Sequence, residues 1–396
     1  MSQSTRARVA LPLAAALALA ATAATAQERS PYYIGISQAF SYDSNIFRTA
    51  SNEISETISS TGVLAGFDQP LGRQRAYADV SAQVNRYRSA DHLDNKSYGV
   101  TAGLDWQTVQ FLSGSLRFAT RNSLADFGTL EGGLTPSDQT TRQLLASARY
   151  GFTSRLSFDA SYENRSLKYR SDAYANRNYT QDTIGAGFVF GGTGRLTFGI
   201  AARGTRGTTP QYQPTPPYED ELDRRDIDLT ARWAPSGLSM LSLRVSSTKE
   251  THTLATNAEV SAITGALAWE YQPTAKIDFR LMLSRDTGTE TTFSMTAPSG
   301  SAPLRVDNSR LSNMGEVSLR YAMTSKIALG TEARYRRGTS QAGGRETLSA
   351  YGANLSYNPT RSSTLSCTVL QERRDAQASA GYSALTGACS AQLTLR

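Results

Sequence analysis

Arginines and carboxylates recur along this chain at alternate positions, and that spacing determines which of them can act together. Asp226, Asp228 and Arg232 share one parity, as do Asp278 with Arg280, Glu316 with Arg320, and Glu332 with Arg334. Arg117, Arg149, Arg203 and Arg244 stand in similar alternating stretches, with Asp159 and Glu163 nearby in sequence. A guanidinium meets a carboxylate or phosphate through two parallel hydrogen bonds. A wall of such groups can pair with itself, or it can guide a polar polymer of carboxylated sugars. Tyr77, Tyr87 and Tyr169 have the parity to turn ring faces toward the same wall.

Residues suited to bond-breaking chemistry are scarce. His92 and His252 are the only histidines. Asp91, His92 and Asp94 resemble an acid–histidine pair, but they fall where a loop tip is expected, and such tips are commonly polar without function. Gly338-Thr339-Ser340-Gln341-Ala342-Gly343 lacks the spacing of a nucleophile elbow, and Asn164-Arg165-Ser166 has no histidine at matching depth. There is no glycine-rich nucleotide loop and no cluster of metal ligands. The chain is therefore expected to be no enzyme, with no catalytic residue, cofactor or metal.

The elements that position the charged wall are strands. Ile277, Phe279, Leu281 and Leu283 alternate with Asp278, Arg280 and Ser284; Ile227, Leu229, Ala231 and Trp233 alternate with Asp226, Asp228, Thr230 and Arg232. Leu196, Phe198, Ile200 and Ala202 do the same against Arg195, Thr197 and Arg203. Side chains swap faces at each strand residue, so a period of two collects every charge on one wall. In a soluble sandwich that wall would face outward; in a membrane barrel it lines the lumen and the apolar wall meets lipid.

Eight aromatics, Phe67, Trp106, Phe152, Phe190, Trp233, Tyr271, Tyr321 and Tyr357, each close an alternating stretch ahead of a short polar turn, 36 to 50 residues apart. The turn after Phe67 is expected at Gln69-Pro70. Two strands of roughly a dozen residues, one tight turn and one longer loop fill such an interval, and rings at strand ends suit a membrane interface. The expected fold is all-β: a transmembrane, antiparallel, up-and-down barrel of about 18 strands, with 16 as the alternative and both termini periplasmic. Strand one is placed near 31–41 and the last at 383–396. The longer loops are placed near 43–56, 88–96, 122–139, 170–179, 207–222, 250–258, 287–308, 339–346 and 373–382. Of these, 122–139, 207–222 with its four prolines, and 287–308 are long enough to fold inward and narrow the bore; the sequence does not select which. A barrel of this size leaves a water-filled bore. A lysine or arginine at the lipid midplane would cost about 2–4 kcal/mol, so the arginines must face inward.

Residues 1–26 have the form of a secretory signal: Arg6 and Arg8, an Ala/Leu core over 9–21, and Ala24-Thr25-Ala26 before Gln27. Residues 27–396 then form a single barrel domain. The net charge of +7 falls to +5 without the two signal arginines, and the remaining basic residues are dispersed, which argues against nucleic acid as a partner. The expected setting is the outer membrane of a Gram-negative bacterium, with its lipid and lipopolysaccharide. Cys367 and Cys389 lie on the last two expected strands, opposite each other about the loop at 373–382 and of equal parity with Leu365, Val369 and Leu393. They either form a disulfide, which would contribute about 3 kcal/mol on a chain-entropy model, or stand as two small lipid-facing residues.

The mature chain opens with Tyr32-Tyr33-Ile34-Gly35-Ile36 and then Tyr42-Asp43-Ser44-Asn45-Ile46-Phe47-Arg48. This phrase resembles the opening of β-barrel porins of the Gram-negative outer membrane, particularly those encoded with exosortase-associated exopolysaccharide biosynthesis systems. The matching motif covers 42–48; the rest of the resemblance lies in length, signal and repeated hairpins. It implies a porin-like channel connected with exopolysaccharide biosynthesis or export, with an acidic exopolysaccharide and periplasmic export machinery as partners. Physically, Asp43, Ser44 and Asn45 are turn-formers, Phe47 is placed to tuck against a neighbouring hairpin, and Arg48 to pair with a wall carboxylate. Asp43 and Asn45 alone are too few to hold a divalent cation. Two other functions fit the residues: a general diffusion porin for small polar solutes, and a non-conducting barrel that anchors an envelope assembly.

Overall fold

A strand with one apolar and one polar wall needs a solvent on each side, and in lipid its backbone must also be fully paired. Closing the sheet on itself meets both demands. The computed structural model of the chain is such a closed sheet of 18 antiparallel strands. It describes residues 30–396 apart from 109–110, 130–134, 153–154, 192–194, 215–216, 255–258, 288–310, 340–343 and 378–380. The expected signal at 1–26 and nearly all of the loop at 287–308 lie outside the described residues.

The first six strands are β1 (Tyr32–Asp43), β2 (Glu56–Leu71), β3 (Gln74–Tyr87), β4 (Asn95–Gln107), β5 (Leu112–Leu124) and β6 (Asp138–Gly151). Next come β7 (Leu156–Tyr169), β8 (Tyr179–Phe190), β9 (Leu196–Pro214), β10 (Pro217–Ser236), β11 (Ser239–His252) and β12 (Glu259–Thr274). The last six are β13 (Ile277–Asp286), β14 (Ser312–Ala322), β15 (Ile327–Thr339), β16 (Arg345–Tyr357), β17 (Ser363–Ala376) and β18 (Tyr382–Leu395). Sequence neighbours pair throughout, and β1 pairs with β18 from Ile34 opposite Leu395 to Asp43 opposite Thr386. That ladder closes the cylinder and decides for 18 strands over 16. Tight turns gather at one end, together with Tyr32 and Leu395; the longer connections gather at the other.

The two walls differ as alternation requires. Leu229 and Phe198 point outward, 58% and 53% exposed, while Asp226 and Asp228 point inward and are buried. Trp233, Tyr271, Tyr321 and Tyr357 ring the outer wall near the tight turns; Tyr42, Tyr98 and Tyr335 stand on it toward the other end. On β4, Tyr98 and Trp106 are roughly 21 Å apart along the axis at about 3.4 Å per residue and a tilt near 40°. An apolar band of that height between aromatic rings matches a bilayer core. Replacing Leu229, midway between Arg225 and Trp233, with arginine is expected to destabilise the barrel by about 2–4 kcal/mol. The same change at inward Thr230 should cost well under 1 kcal/mol, as substitutions facing water usually do. Urea titration of the folded fraction in vesicles checks both; equal costs would mean that the walls are assigned wrongly.

Two expected connections are corrected. The stretch 207–222 is not a loop: β9 and β10 remain paired as far as Pro214 opposite Pro217, forming a long hairpin. Pro210 falls where the register shifts, between Thr209–Asp220 and Gln213–Tyr218, and an irregular stretch tolerates the missing N–H. The turn after Phe67 is not at Gln69-Pro70 either. β2 runs on to Leu71 and turns at Gly72-Arg73, because Gly72 adopts φ +66° without strain. Near the other end of the chain, Cys367 lies opposite Cys389 on the outer wall, and their sulfurs are bonded.

Candidate channel constriction

Strand alternation turns Arg117, Arg149, Arg203, Arg232, Arg244, Arg280, Arg320 and Arg334 inward, with Asp226, Asp228, Asp278, Glu316 and Glu332 on the same wall. Several pair with each other. Arg149 clamps Asp159 through Nε at 2.8 Å and Nη2 at 2.6 Å. Arg203 reaches Asp228 at 3.2 Å and Asp226 at 3.5 Å; Arg334 meets Glu316 at 3.1 Å and Arg280 meets Asp278 at 3.5 Å. Arg232 contacts the Met240 sulfur, while Arg117 and Arg320 have no ion-pair partner among the described residues. Tyr77 also faces inward, with the Arg75 guanidinium 5.2 Å from its ring centre and Arg75 itself bonded twice to Asp68. The wall thus carries both signs, interleaved, and not one continuous positive track.

A denser knot lies toward the long-loop end. Arg224 is buried and donates to Asp226 at 3.0 Å, to Asp286 at 3.0 Å and to the Thr287 hydroxyl at 2.9 Å. Thr248 donates to Asp226 at 2.5 Å, Thr287 to Glu250 at 2.6 Å, and His252 bridges Asp220 and Glu250 at 2.8 and 3.0 Å. Arg224 shares the parity of Asp226 in the sequence, so alternation alone could have found it. That Thr248 and Glu250 of β11 and Asp286 of β13 converge around it could not be read that way.

The Tyr42–Arg48 phrase builds a second knot at the same end. The Asn45 side chain is fully buried; its amide donates to the Thr49 and Ser383 carbonyls at 2.7 and 3.1 Å and accepts from the Thr49 N–H at 3.0 Å. Asn45 N–H in turn donates to Asp43 at 2.9 Å. Arg48 holds a left-handed backbone, φ +55°, and its guanidinium bonds both Asp43 oxygens and the Asn45 carbonyl. Burial alone would pull the Arg48 pKa down, but Asp126 and Asp43 outweigh it and hold the group above its ordinary value. Both Asp43 oxygens engage this cation, so the motif acts as a structural turn.

From this turn Phe47 reaches inward, edge-on to Phe127 at 5.0 Å and stacked on His92 at 6.3 Å. Ala90, Leu93, Ala125, Phe127, Tyr169 and Tyr174 complete a small apolar core made largely of connection residues. Tyr87, expected to offer its ring to the bore, packs against that core instead, as does Tyr169 within it. Glu56 holds one connection in place by accepting from the Arg88, Ser89 and Ala90 N–H groups at 2.9–3.1 Å. His92 is therefore a packing residue, and Asp94 is taken by Arg86 and the Tyr87 N–H, both of which, the N–H foremost, lower its pKa.

This layer crosses the mouth. Arg374 on β17 donates to the Gly128 carbonyl at 3.0 Å, although Gly128 belongs to the β5–β6 connection, six strands away round the wall. Arg374 is held by both Glu346 oxygens at 3.1 Å, Arg336 joins the same carboxylate at 2.8 Å, and Tyr382 donates to Glu372 at 2.5 Å. Eighteen strands spaced about 4.8 Å and tilted about 40° enclose a cylinder roughly 36 Å across at the backbone. A contact across a third of its circumference narrows that bore substantially.

No model of a known protein family matches the chain, and no curated protein matches it. Among solved structures it is similar to the outer membrane protein OpdK of Pseudomonas aeruginosa, at 12% identity over 92% of this chain and 98% of that one, TM-score 0.49. It is also similar to OpdQ of the same organism, at 12% identity over 93% and 100%, TM-score 0.48. OccK2 (OpdF) of that organism, solved in complex with glucuronate, is 12% identical over 92% and 98%, TM-score 0.49. Likeness at this level concerns barrel architecture alone. The closed sheet, the apolar band between aromatic rings and the charged inner wall decide the matter. The chain is a transmembrane β-barrel of the outer membrane.

Proposed function

We propose that this barrel is a non-enzymatic channel for small polar solutes, with the inward-folded layer at its long-loop mouth setting the size limit. The Arg374–Gly128 contact across the mouth carries this reading, because a layer tied to wall segments six strands apart narrows the bore toward the size of small molecules. The mixed charge of the wall supports it: paired arginines and carboxylates give weak discrimination between anions and cations. The tight-turn end, with both termini, faces the periplasm, as short turns do in barrels of this kind. Export of an acidic exopolysaccharide, implied by the resemblance at 42–48, needs the layer to swing aside, since those same residues anchor it.

Planar-bilayer recording and liposome swelling test the proposal. Purified, folded protein is expected to give steady open-channel current and to admit monosaccharides while excluding long polymers. A folded barrel that never conducts would end the channel reading. Blockade by an acidic polysaccharide, and not by neutral oligosaccharides of equal length, would transfer the assignment to polymer guidance. Charge reversal at Arg232 and Arg280 should then relieve it.

A further inference from the structure

The outer wall is electrically lopsided. Every charged side chain that a described strand places on it lies in the strand's long-loop half; toward the tight turns the wall carries residues such as Phe198, Phe279 and Tyr321. Within the charged half, β13 to β16 stand out. Arg285 pairs in register with Asn313, Asn313 with Arg337, and Arg345 lies one diagonal step from Arg337, opposite Thr339. At about 4.8 Å per strand the first two backbones are roughly 10 Å apart, and a diagonal step is about 7–8 Å. Long arginine side chains easily converge over such distances.

All three arginines are exposed, and none has a carboxylate partner among the described residues. The acids that might have served are engaged elsewhere: Asp375 by Arg373 at 3.2 Å, and Glu346, on the inner wall, by Arg374 and Arg336. Like charges set side by side on one sheet face repel, so the protein leaves this arc short of negative charge. Tyr335, two residues below Arg337 on the same face, marks the level of the bilayer interface just beneath. Closely spaced anions fixed at that level, directly outside the barrel, are what a lipid headgroup with more than one phosphate offers. Guanidinium groups suit them because they bind phosphate through paired hydrogen bonds.

We propose that Arg285, Arg337 and Arg345 form a binding site for the phosphates of an outer-leaflet glycolipid. The site rests on the outer-membrane placement and not on which solute the channel carries. It also orients the molecule, since a phosphate-rich leaflet belongs at the end where the cations are.

A bimane label on Thr347→Cys, whose backbone pairs with Arg337, provides a local readout; the native cysteines are already bonded to each other. Labelled, folded protein in neutral detergent is titrated with a diphosphorylated glucosamine-disaccharide lipid. A saturable emission shift is expected. In the triple variant Arg285→Gln, Arg337→Gln, Arg345→Gln the half-saturation concentration should rise about a hundredfold, at about fivefold per cation. The triple Arg→Lys variant should stay within about tenfold of the parent. Should the triple glutamine variant fail to fold, each single variant should still show its roughly fivefold loss. Unchanged affinity in the glutamine variants, or equal binding of the dephosphorylated lipid, would overturn the proposal. So would an equal shift with inorganic phosphate alone at the same concentration, since the lipid would then contribute nothing.

Discussion

Replacing Arg374 with alanine is expected to raise single-channel conductance severalfold, because it cuts a bond tying the β5–β6 connection to β17. The guanidinium also neutralises Glu346, and both groups are buried. Removing one partner of a buried ion pair strands the other and typically costs 3–5 kcal/mol. Arg336 remains on Glu346 at 2.8 Å, so the cost should fall near the lower end, about 3 kcal/mol. The barrel itself should persist, since its ladders on either side of β17 do not depend on this side chain. Conductance and heat-modifiable gel migration measured on one preparation separate the two effects. A folded variant with unaltered current would show that the layer does not limit the pore. Asn45→Ala should act in the same direction from the neighbouring β1–β2 connection, because its hydrogen bonds hold the Arg48 turn.

Arg224→Ala is expected to produce the largest loss of stability in the strand wall, about 3–5 kcal/mol. It would leave Asp226, Glu250 and Asp286 without the cation they share, and the first two are buried. By contrast, Arg232→Ala on the same strand face should stay within about 0.5 kcal/mol, since Arg232 is exposed to the bore and, among the described residues, makes only a contact to Met240. Urea unfolding in lipid vesicles gives both values from one protocol. Equal, small losses would mean that the Arg224 knot is solvated and contributes little; a large loss only at Arg224 would mark it as a structural strut of the long-loop half.

Several regularities are legible in the sequence alone. The backbone of a strand turns successive side chains to opposite faces, so Asp278 and Arg280 had to share a wall that Phe279 and Leu281 could not. Aromatic residues ahead of polar turns marked where hairpins end at the interface, and the equal parity of Cys367 and Cys389 put them on one face. Errors arose where local chemistry suggested more than one outcome. Prolines at 210, 214, 216 and 217 looked like a loop, yet a register shift and a hairpin tip absorb the two that fall among the described residues of β9. Phe67 suggested an early turn, but the left-handed position belongs to Gly72, five residues on.

Wall identity and membrane setting are thus properties of the chain's own periodicity, because they depend on neighbours one or two residues apart; the choice of 18 strands over 16 came with the β1–β18 ladder. The crossing of the mouth is of another kind. Gly128 meets Arg374, and Asn45 meets Ser383, at separations of hundreds of residues that no repeat in the chain encodes. Only closure of the cylinder brings those segments together, and only then does a phrase that looks like a simple turn become the anchor of a constriction.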